Sequence, residues 1–217
     1  DTIQSRGLGD VYKRQIKANM SEDLLTKLVN ALTILPGVGK KSAQRMALFL
    51  LDKNQQGARE IVHSLSGAIE SIQRCEECRM LTSQKLCNVC MDVKRDSSCI
   101  CVVESPADYL AIENTGGFAG KYFVLMGRLS PMDDIGPEDL GIDKLLELIR
   151  GKDIQEVILA TSSTVEGDAT AIYIKDHCEN VKVTRISYGI PIGGELEYVD
   201  SNTIARSIIG RIDINDD

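Results

Sequence analysis

The sequence has no apolar run of the ~18 residues that a membrane-spanning helix needs. Residues 1–15 also lack the basic-then-apolar order of a secretory signal. Low-complexity segments and internal repeats are missing as well. We therefore expect a soluble, cytoplasmic protein and not a membrane, secreted or repeat protein.

The cysteine content does not fit a disulfide scaffold. The chain has seven cysteines, an odd number, and four of them lie within residues 75–90. Disulfide-rich scaffolds belong to oxidising, secreted environments, for which this sequence carries no signal. A hydrophobic content of 43% in 217 residues also excludes a wholly disordered chain. A chain of 217 residues can form one large domain or several small modules.

Charge is distributed unevenly along the chain. The formal net charge is −7, yet residues 1–95 carry 15 Lys and Arg against 10 Asp and Glu. Residues 96–217 carry 10 basic against 22 acidic side chains. This asymmetry indicates a basic module, which phosphates would attract, beside an acidic module, which would repel them. A basic face that is merely solvated explains the same balance.

The first part of the chain is predicted to be helical after a short extension. Residues 1–19 have neither helical nor strand periodicity, so we expect a non-native or disordered extension there. Ser21 is a good N-cap for a first helix, whose apolar residues continue at helical spacing to Leu35. A second helix is expected from about Lys40, and a third from about residue 59 to residue 74.

The second half of the chain alternates short apolar runs with helical segments. Four runs rich in Val and Ile are typical of buried parallel strands, and three segments between them have helical periodicity. The strands are predicted at 100–103, 122–126, 157–160 and 181–186, and the helices at 106–113, 142–149 and 165–178. This order predicts an open, doubly wound α/β sheet, whose ligands bind beyond the carboxyl ends of the strands.

Two Cys-x-x-Cys pairs form the sharpest motif in the sequence. Cys75 and Cys78 are followed, after eight residues, by Cys87 and Cys90. Two such pairs supply four soft ligands for one tetrahedral zinc, which would be structural because no position is left for water. Iron–sulfur ligation and a redox dithiol are the alternatives. The other cysteines are interpreted as small buried hydrophobic side chains: Cys99, Cys101 and Cys178.

A glycine-containing turn separates the first two predicted helices. Gly37 and Gly39 let the backbone turn tightly and present N–H groups at a helix start, where phosphate is favoured. A nucleotide P-loop is excluded, because Ile34 and Lys41 stand where its first glycine and its Ser or Thr are required. The pattern resembles a helix-hairpin-helix, whose family binds the nucleic-acid backbone without sequence preference. Three cations favour this interpretation over an ordinary αα-corner: Lys40, Lys41 and Arg45.

Acidic residues follow two of the predicted strands. Glu104 ends the first strand, and Glu166 and Asp168 follow the third. Carboxylates gathered at the ends of neighbouring strands can hold Mg²⁺. The arrangement resembles the Toprim domain that topoisomerases, primases and some nucleases share.

This segment departs from the metal-binding Toprim pattern at two positions. Ser162 and Thr164 stand where type IA topoisomerases have the two aspartates of A-T-D-x-D-x-E-G-E. The pocket has therefore lost two carboxylates, and neutral hydroxyls are poor ligands for a divalent ion. Capping of the next helix by Ser163 or Thr164, with Glu166 near the positive end of its dipole, explains the same residues without a metal.

Hairpin, cysteine pairs and Toprim-like sheet occur in the order found in the RecR family of bacterial recombination mediators, which the chain resembles over about residues 20–211. Family-typical segments include Val-Val-Glu-Ser-Pro-Ala-Asp at 102–108 and Gly-Arg-Leu-Ser-Pro-Met-Asp at 127–133. A third is Gly-Ile-Pro-Ile-Gly-Gly-Glu-Leu-Glu-Tyr at 189–198. Where the family usually has Asn-Pro-Thr-Val-Glu-Gly-Glu, residues 162–168 are Ser-Ser-Thr-Val-Glu-Gly-Asp, a conservative departure.

The resemblance implies a multi-module α/β protein with five regions. After the extension at 1–19 come a helical helix-hairpin-helix region at 20–74 and a C4 zinc finger at 75–90. A Toprim-type, doubly wound and mostly parallel sheet follows at 98–193, and a helical C-terminal oligomerisation segment at 194–217.

The resemblance also implies a non-enzymatic, nucleoid-associated DNA clamp. Protomers of the family assemble into a ring, commonly a tetramer, that can encircle duplex DNA. They act with RecO and RecF to load the RecA recombinase at gaps coated by single-strand-binding protein. One structural zinc per chain is implied. Lys41 and Arg45 would contact phosphates inside the ring, Lys40 is a weaker candidate, and Gly37 and Gly39 form the turn.

The acidic residues of the Toprim-like region would form a partner-docking surface, because their charge repels DNA. They are Glu104, Asp133, Asp134, Glu166 and Asp168. The segment 189–198 would contact another subunit.

Two other functions compete with the clamp. A Mg²⁺-dependent Toprim enzyme could cleave or prime DNA with Glu104, Glu166 and Asp168, although the missing aspartates and the lack of a tyrosine nucleophile context disfavour it. An adaptor that never binds DNA directly would need only a solvated basic surface.

Overall fold

The structure, a computed structural model, describes residues 23–187 and 189–211. The chain divides into two compact units, one ending at Ser71 and the other beginning at Ile72. Within the ranges just given, no helix combines the length and apolar character needed to cross a membrane. The expected extension at 1–19 and the expected N-cap Ser21 lie outside the described residues.

The first unit consists of a helix-hairpin-helix followed by a longer helix. Its elements are α1 (Leu24–Leu32), α2 (Lys40–Leu48), a π-helical turn (Phe49–Lys53) and α3 (Gln55–Ser71). Asp23 occupies the N-cap position of α1, and Gly39 that of α2. The three predicted helices are confirmed, although α3 begins and ends a few residues earlier than the apolar spacing predicted.

Few side chains are buried inside this unit. Val29 of α1 packs against Ala43 and Ala47 of α2, whose small side chains let the two helices approach closely. The apolar stripe of α3 is exposed instead, with Leu65 58% and Ile69 74% accessible. Apolar periodicity predicted this helix correctly, but nothing in the described part of the unit covers its apolar face.

The second unit is built on four parallel strands. Its elements are β1 (Gln73–Arg74), β2 (Leu81–Thr82), α4 (Asn88–Met91), β3 (Asp96–Val103), α5 (Pro106–Glu113), β4 (Gly120–Val124), α6 (Ile142–Gly151), β5 (Glu156–Ala160), α7 (Val165–His177), β6 (Lys182–Arg185), a 3-10 turn (Leu196–Tyr198) and α8 (Ser201–Ile209). The sheet has the order β4-β3-β5-β6, with every neighbouring pair parallel, and β1 pairs with β2 in a small antiparallel ribbon. The predicted doubly wound α/β sheet is confirmed.

The two faces of the sheet have separate cores, because successive strand residues point to opposite sides. Ile100 and Val102 of β3 belong to the core that α6 and α7 cover. Cys101 and Val103 belong to the core that α5 and the cysteine pairs cover. The sheet is therefore enclosed on both faces, as the unbroken apolar runs predicted.

The strand order places the topological switch point between β3 and β5. The chain leaves β3 towards β4 on one side and leaves β5 towards β6 on the other, so the connections diverge. Ligands of open α/β sheets bind in the crevice at such a point, beyond the carboxyl ends of the strands. Glu104 directly follows β3 there, and Thr161 directly follows β5.

Candidate functional site

Four buried sulfur atoms converge in the second unit. The Sγ atoms of Cys75, Cys78, Cys87 and Cys90 all lie within 4.8 Å of one another, and Cys78 Sγ is 3.5 Å from Cys87 Sγ. Zn–S bonds of about 2.3 Å in a tetrahedron place sulfur ligands about 3.8 Å apart. The predicted metal-binding cluster is confirmed as an arrangement that fits one zinc ion, whereas the identity of the metal stays a prediction.

The two cysteine pairs are held by different local structures. A tight turn holds the first pair: the Cys75 N–H donates to the Met80 carbonyl at 2.8 Å, and the Arg79 N–H donates back to the Cys75 carbonyl at 3.0 Å. Cys87 is the N-cap of α4, and its N–H lies 3.3 Å from Cys75 Sγ. Hydrogen bonds from Cys78 and Cys90 lower the pKa of the Cys87 thiol far below its usual range. The same hydrogen bonds raise the pKa of the Cys78 and Cys90 thiols. These contacts therefore stabilise a thiolate, the form that binds metal, at Cys87.

The cysteine pairs also cover an edge strand of the sheet. The Val124 N–H of β4 donates to the Cys78 carbonyl at 2.9 Å, and Lys121 Nζ donates to the Cys90 carbonyl at 2.9 Å. An uncovered edge strand presents unpaired backbone groups that can pair with another chain. The metal ligands and the sheet edge thus stabilise each other, a contact that no sequence signal predicted.

Arg79 is a further tie between the cysteine pairs and the sheet that the sequence did not reveal. This residue is 7% exposed, and its guanidinium donates to the carbonyls of Leu140 and, at 3.3 Å, Asp139. Its Cζ lies 5.8 Å from the centre of the Phe123 ring, and burial lowers the pKa of its guanidinium. Gly141 has φ +64°, and a Cβ there would meet the Arg79 guanidinium. The partners lie 61 positions apart, beyond the reach of local patterns.

The hairpin residues lie together at the start of α2, as their spacing predicted. Gly37 has φ +77°, a conformation that favours glycine. An added Cβ at Gly37 or Gly39 would meet no atom within 4 Å, so the backbone is open to close approach. Lys40, Lys41 and Arg45 are exposed. Contact of these residues with phosphate stays a prediction.

Glu104 at the switch point is bound by protein groups. Its Oε1 accepts hydrogen bonds from the Ser162 N–H at 2.8 Å and from Ser162 Oγ at 2.9 Å. Ser162 is therefore a hydrogen-bond donor to the neighbouring carboxylate. Thr164 is the N-cap of α7, and its Oγ1 accepts from the Gly167 N–H at 3.2 Å. Of the two predicted helix caps, Thr164 is confirmed.

Asp168 is bound by two arginines. Its Oδ1 lies 2.7 Å from Arg185 Nη2, and its Oδ2 accepts a hydrogen bond from Arg206 Nη2 at 3.0 Å. Arg206 and Arg185 together hold the pKa of the Asp168 carboxyl below its usual range. Arg185 Nη2 also donates to the Ser162 carbonyl at 2.9 Å. Two guanidinium groups thus neutralise the charge of the Asp168 carboxylate.

The remaining acidic residues lie on two other segments. Glu166 is half-buried in the first turn of α7, where the helix dipole favours negative charge. Asp133 Oδ2 accepts from Ser130 Oγ at 2.7 Å in a loop that also contains Asp134. Among the described residues, no three of the five predicted carboxylates lie within 4.8 Å of one another. Their assignment to partner docking stays a prediction.

The cysteines outside the cluster differ in burial. Cys101 is 2% exposed in the sheet core, as predicted. The same prediction is wrong for Cys99 and Cys178, which are only partly buried. Cys99 lies in the part of β3 that precedes its fully buried residues, and Cys178 is the C-cap residue of α7. Each side chain is therefore partly accessible to water.

Comparisons with known proteins match successive parts of the chain. A model described as RecR, helix-hairpin-helix matches residues 25–69, a Toprim domain model matches 98–187, and a model described as RecR, C-terminal matches 189–212. "Recombination protein RecR" of Saccharophagus degradans is 50% identical over 197 residues, which cover 90% of this chain and 100% of the relative. The chain belongs to the RecR family. The resemblance inferred from the motifs is confirmed, and so are the RecR helix-hairpin-helix and the Toprim domain.

We expect Cys75→Ser to remove the metal and to destabilise the second unit severely. Apparent zinc binding in small sites is on the order of 10–16 kcal/mol and contributes directly to folding. Elemental analysis of the wild type should give one zinc per chain. Cys178→Ser is the matched control, since Cys178 is outside the cluster, and it should keep the zinc. Two zinc ions, or cooperative folding without any metal, would contradict the assignment.

Arg79→Gln should lower the free energy of unfolding of the second unit by about 2 kcal/mol, because it removes charged hydrogen bonds to the buried Leu140 carbonyl and to the Asp139 carbonyl. Urea unfolding, followed by circular dichroism, measures the change. Arg74→Gln is the matched control, because Arg74 is exposed in the same cysteine-bearing segment. Equal effects of the two substitutions would show that the Arg79 hydrogen bonds do not stabilise the second unit.

Proposed function

We propose that this chain is a DNA-binding mediator of recombinational repair that acts as an oligomeric clamp without turnover. It would work in the bacterial cytoplasm at the nucleoid, with RecO and RecF, to help load RecA at gapped DNA. The carrying observation is the exposed basic hairpin in a chain of the RecR family. The other properties of the two units are consistent with this role.

The hairpin supports binding of the DNA backbone without sequence preference. Lys41 and Arg45 are one helical turn apart on α2, so both can reach one stretch of phosphates. The N-terminus of α2 has Gly39 in the N-cap position and no side-chain cap among the described residues, which leaves backbone N–H groups for a phosphate oxygen. Contacts of this kind position a protein on DNA and carry no sequence information.

Exposed apolar surfaces support assembly into an oligomer, with a tetrameric ring as the expected form. On α3, Ile61, Leu65 and Ile69 form a helical stripe, each at least half exposed. In the tail, Ile192 is fully exposed and Tyr198 is 81% exposed. Apolar side chains in contiguous patches mark interaction surfaces. A second copy of the chain would cover both surfaces.

The acidic residues of the Toprim domain suit partner docking better than catalysis. Glu104 and Asp168 already accept hydrogen bonds from protein groups, which leaves little capacity for Mg²⁺. In the loop after β4, Met132 is 97% exposed beside Asp133 and Asp134. An apolar tip flanked by carboxylates suits a partner with a basic, partly apolar face.

We expect the double substitution Lys41→Ala with Arg45→Ala to weaken DNA binding uniformly across sequences. Loss of two phosphate contacts should reduce the slope of log affinity against log salt by about 1.8 and lower affinity roughly tenfold or more at low salt. Fluorescence anisotropy on two unrelated duplexes and one gapped duplex measures both quantities. The matched control is Lys144→Ala with Arg150→Ala, an exposed pair on α6 with the same charge change. An unchanged slope would exclude the hairpin from the DNA interface.

Incubation with supercoiled and gapped plasmid separates the clamp from an enzyme. We expect a mobility shift with plasmid topology unchanged, with and without Mg²⁺ or Mn²⁺, because the crevice carboxylates are engaged. Nicked or relaxed product from the wild type that disappears in Glu104→Gln would identify a working metal site instead. No shift at high protein concentration and low salt would favour an adaptor that does not bind DNA itself.

A further inference from the structure

Helix α8 is joined to the Toprim sheet through a shared carboxylate. Asp168 in the first turn of α7 lies 2.7 Å from Arg185 Nη2 of β6 and 3.0 Å from Arg206 Nη2 of α8. Each carboxylate oxygen has its own guanidinium partner, so one side chain connects a strand and two helices. The side chains of Asp168 and Arg185 are 29% and 25% exposed, so water only partly screens this pair.

The Arg185 nitrogen that pairs with Asp168 also contacts residues of the crevice. Arg185 Nη2 donates to the Ser162 carbonyl at 2.9 Å and lies 3.3 Å from Thr161 Oγ1. Thr203 of α8 lines the same pocket as Ser162 and Arg185. Helix α8 therefore lies beside the switch-point crevice, where its Arg206 pairs with Asp168.

Helix α8 is well formed but buries none of its own residues. Its N-cap is Asp200, whose carboxylate accepts from the N–H groups of Asn202 at 3.1 Å and Thr203 at 3.0 Å. Ile208 and Ile209 remain 60% and 81% exposed. Local capping thus defines the helix, whereas apolar packing against the described part of this chain does little to orient it. The ion pair between Arg206 and Asp168 is a directional contact that can orient the helix.

We propose that Asp168, backed by Arg185, is a latch that positions α8 and the tail before it so that their exposed apolar side chains meet a second copy of the chain. The inference rests on the oligomeric clamp proposed above. Asp168 is then a positioning residue at a place where catalytic Toprim domains hold a metal-binding carboxylate. The ion pairs with Arg185 and Arg206 neutralise the Asp168 carboxylate and connect α8 to β6.

Hydrogen exchange of the full-length, zinc-loaded protein tests the latch directly. Asp168→Asn and Arg206→Gln should each speed exchange of the α8 amides about 3- to 10-fold, as expected for loss of a partly exposed ion pair. The double variant should be no faster than Asp168→Asn alone, because that substitution already removes the Asp168–Arg206 contact. Asp168→Glu keeps the charge and should restore slow exchange. Arg211→Gln is the matched control, since Arg211 donates to the Ile208 carbonyl inside the same segment at 3.1 Å.

Mass measurements by light scattering over a dilution series test the consequence for assembly. The oligomers of the Asp168→Asn and Arg206→Gln variants should dissociate at a higher protein concentration than the wild-type oligomer does. The Asp168→Glu and Arg211→Gln variants should behave like the wild type. Unchanged α8 exchange, or additive effects in the double variant, would overturn the latch. Faster exchange with unchanged mass would overturn its role in subunit contact. Failure of the clamp itself is distinguishable, because a wild type that does not shift gapped DNA can still show the exchange pattern.

Discussion

The enclosure of β3 is the constraint on which the second unit depends. This strand is paired along both edges, with β4 and β5, and its residues from Ile100 to Val103 are at most 2% exposed. A shift of one residue would exchange the side chains of its two cores, so the register is strongly determined. That register holds Glu104 at the switch point and turns Cys101 towards the cysteine pairs. The crevice and the metal cluster are thus positioned by the same strand.

The chain uses two different means to satisfy its buried or clustered anionic groups. Four converging sulfur atoms suit a soft metal ion, which can hold the two cysteine pairs together beside the edge strand β4. In the crevice, two arginines pair with the Asp168 carboxylate, and Ser162 donates hydrogen bonds to the Glu104 carboxylate.

Surfaces left uncovered connect this structure to the proposed clamp. The helix-hairpin-helix unit buries few apolar residues and exposes the stripe of α3, and the tail exposes apolar side chains around Tyr198. Basic residues on the hairpin attract anionic partners, whereas Asp133 and Asp134 in the loop after β4 attract cationic ones. Assembly through apolar surfaces would bring several hairpins onto one DNA molecule, where many weak phosphate contacts add to useful affinity.

The sequence by itself determined the helices, the strands and the metal ligands, because apolar periodicity and Cys-x-x-Cys spacing act over a few neighbouring residues. It also indicated the hairpin glycines and the helix cap at Thr164, which are equally local. Only the tertiary structure decided that Arg79 reaches Leu140, that Asp168 joins β6 to α8, and that α3 leaves its apolar face open. Those features depend on which distant segments the fold brings within a few ångströms, and local patterns carry no record of such distances.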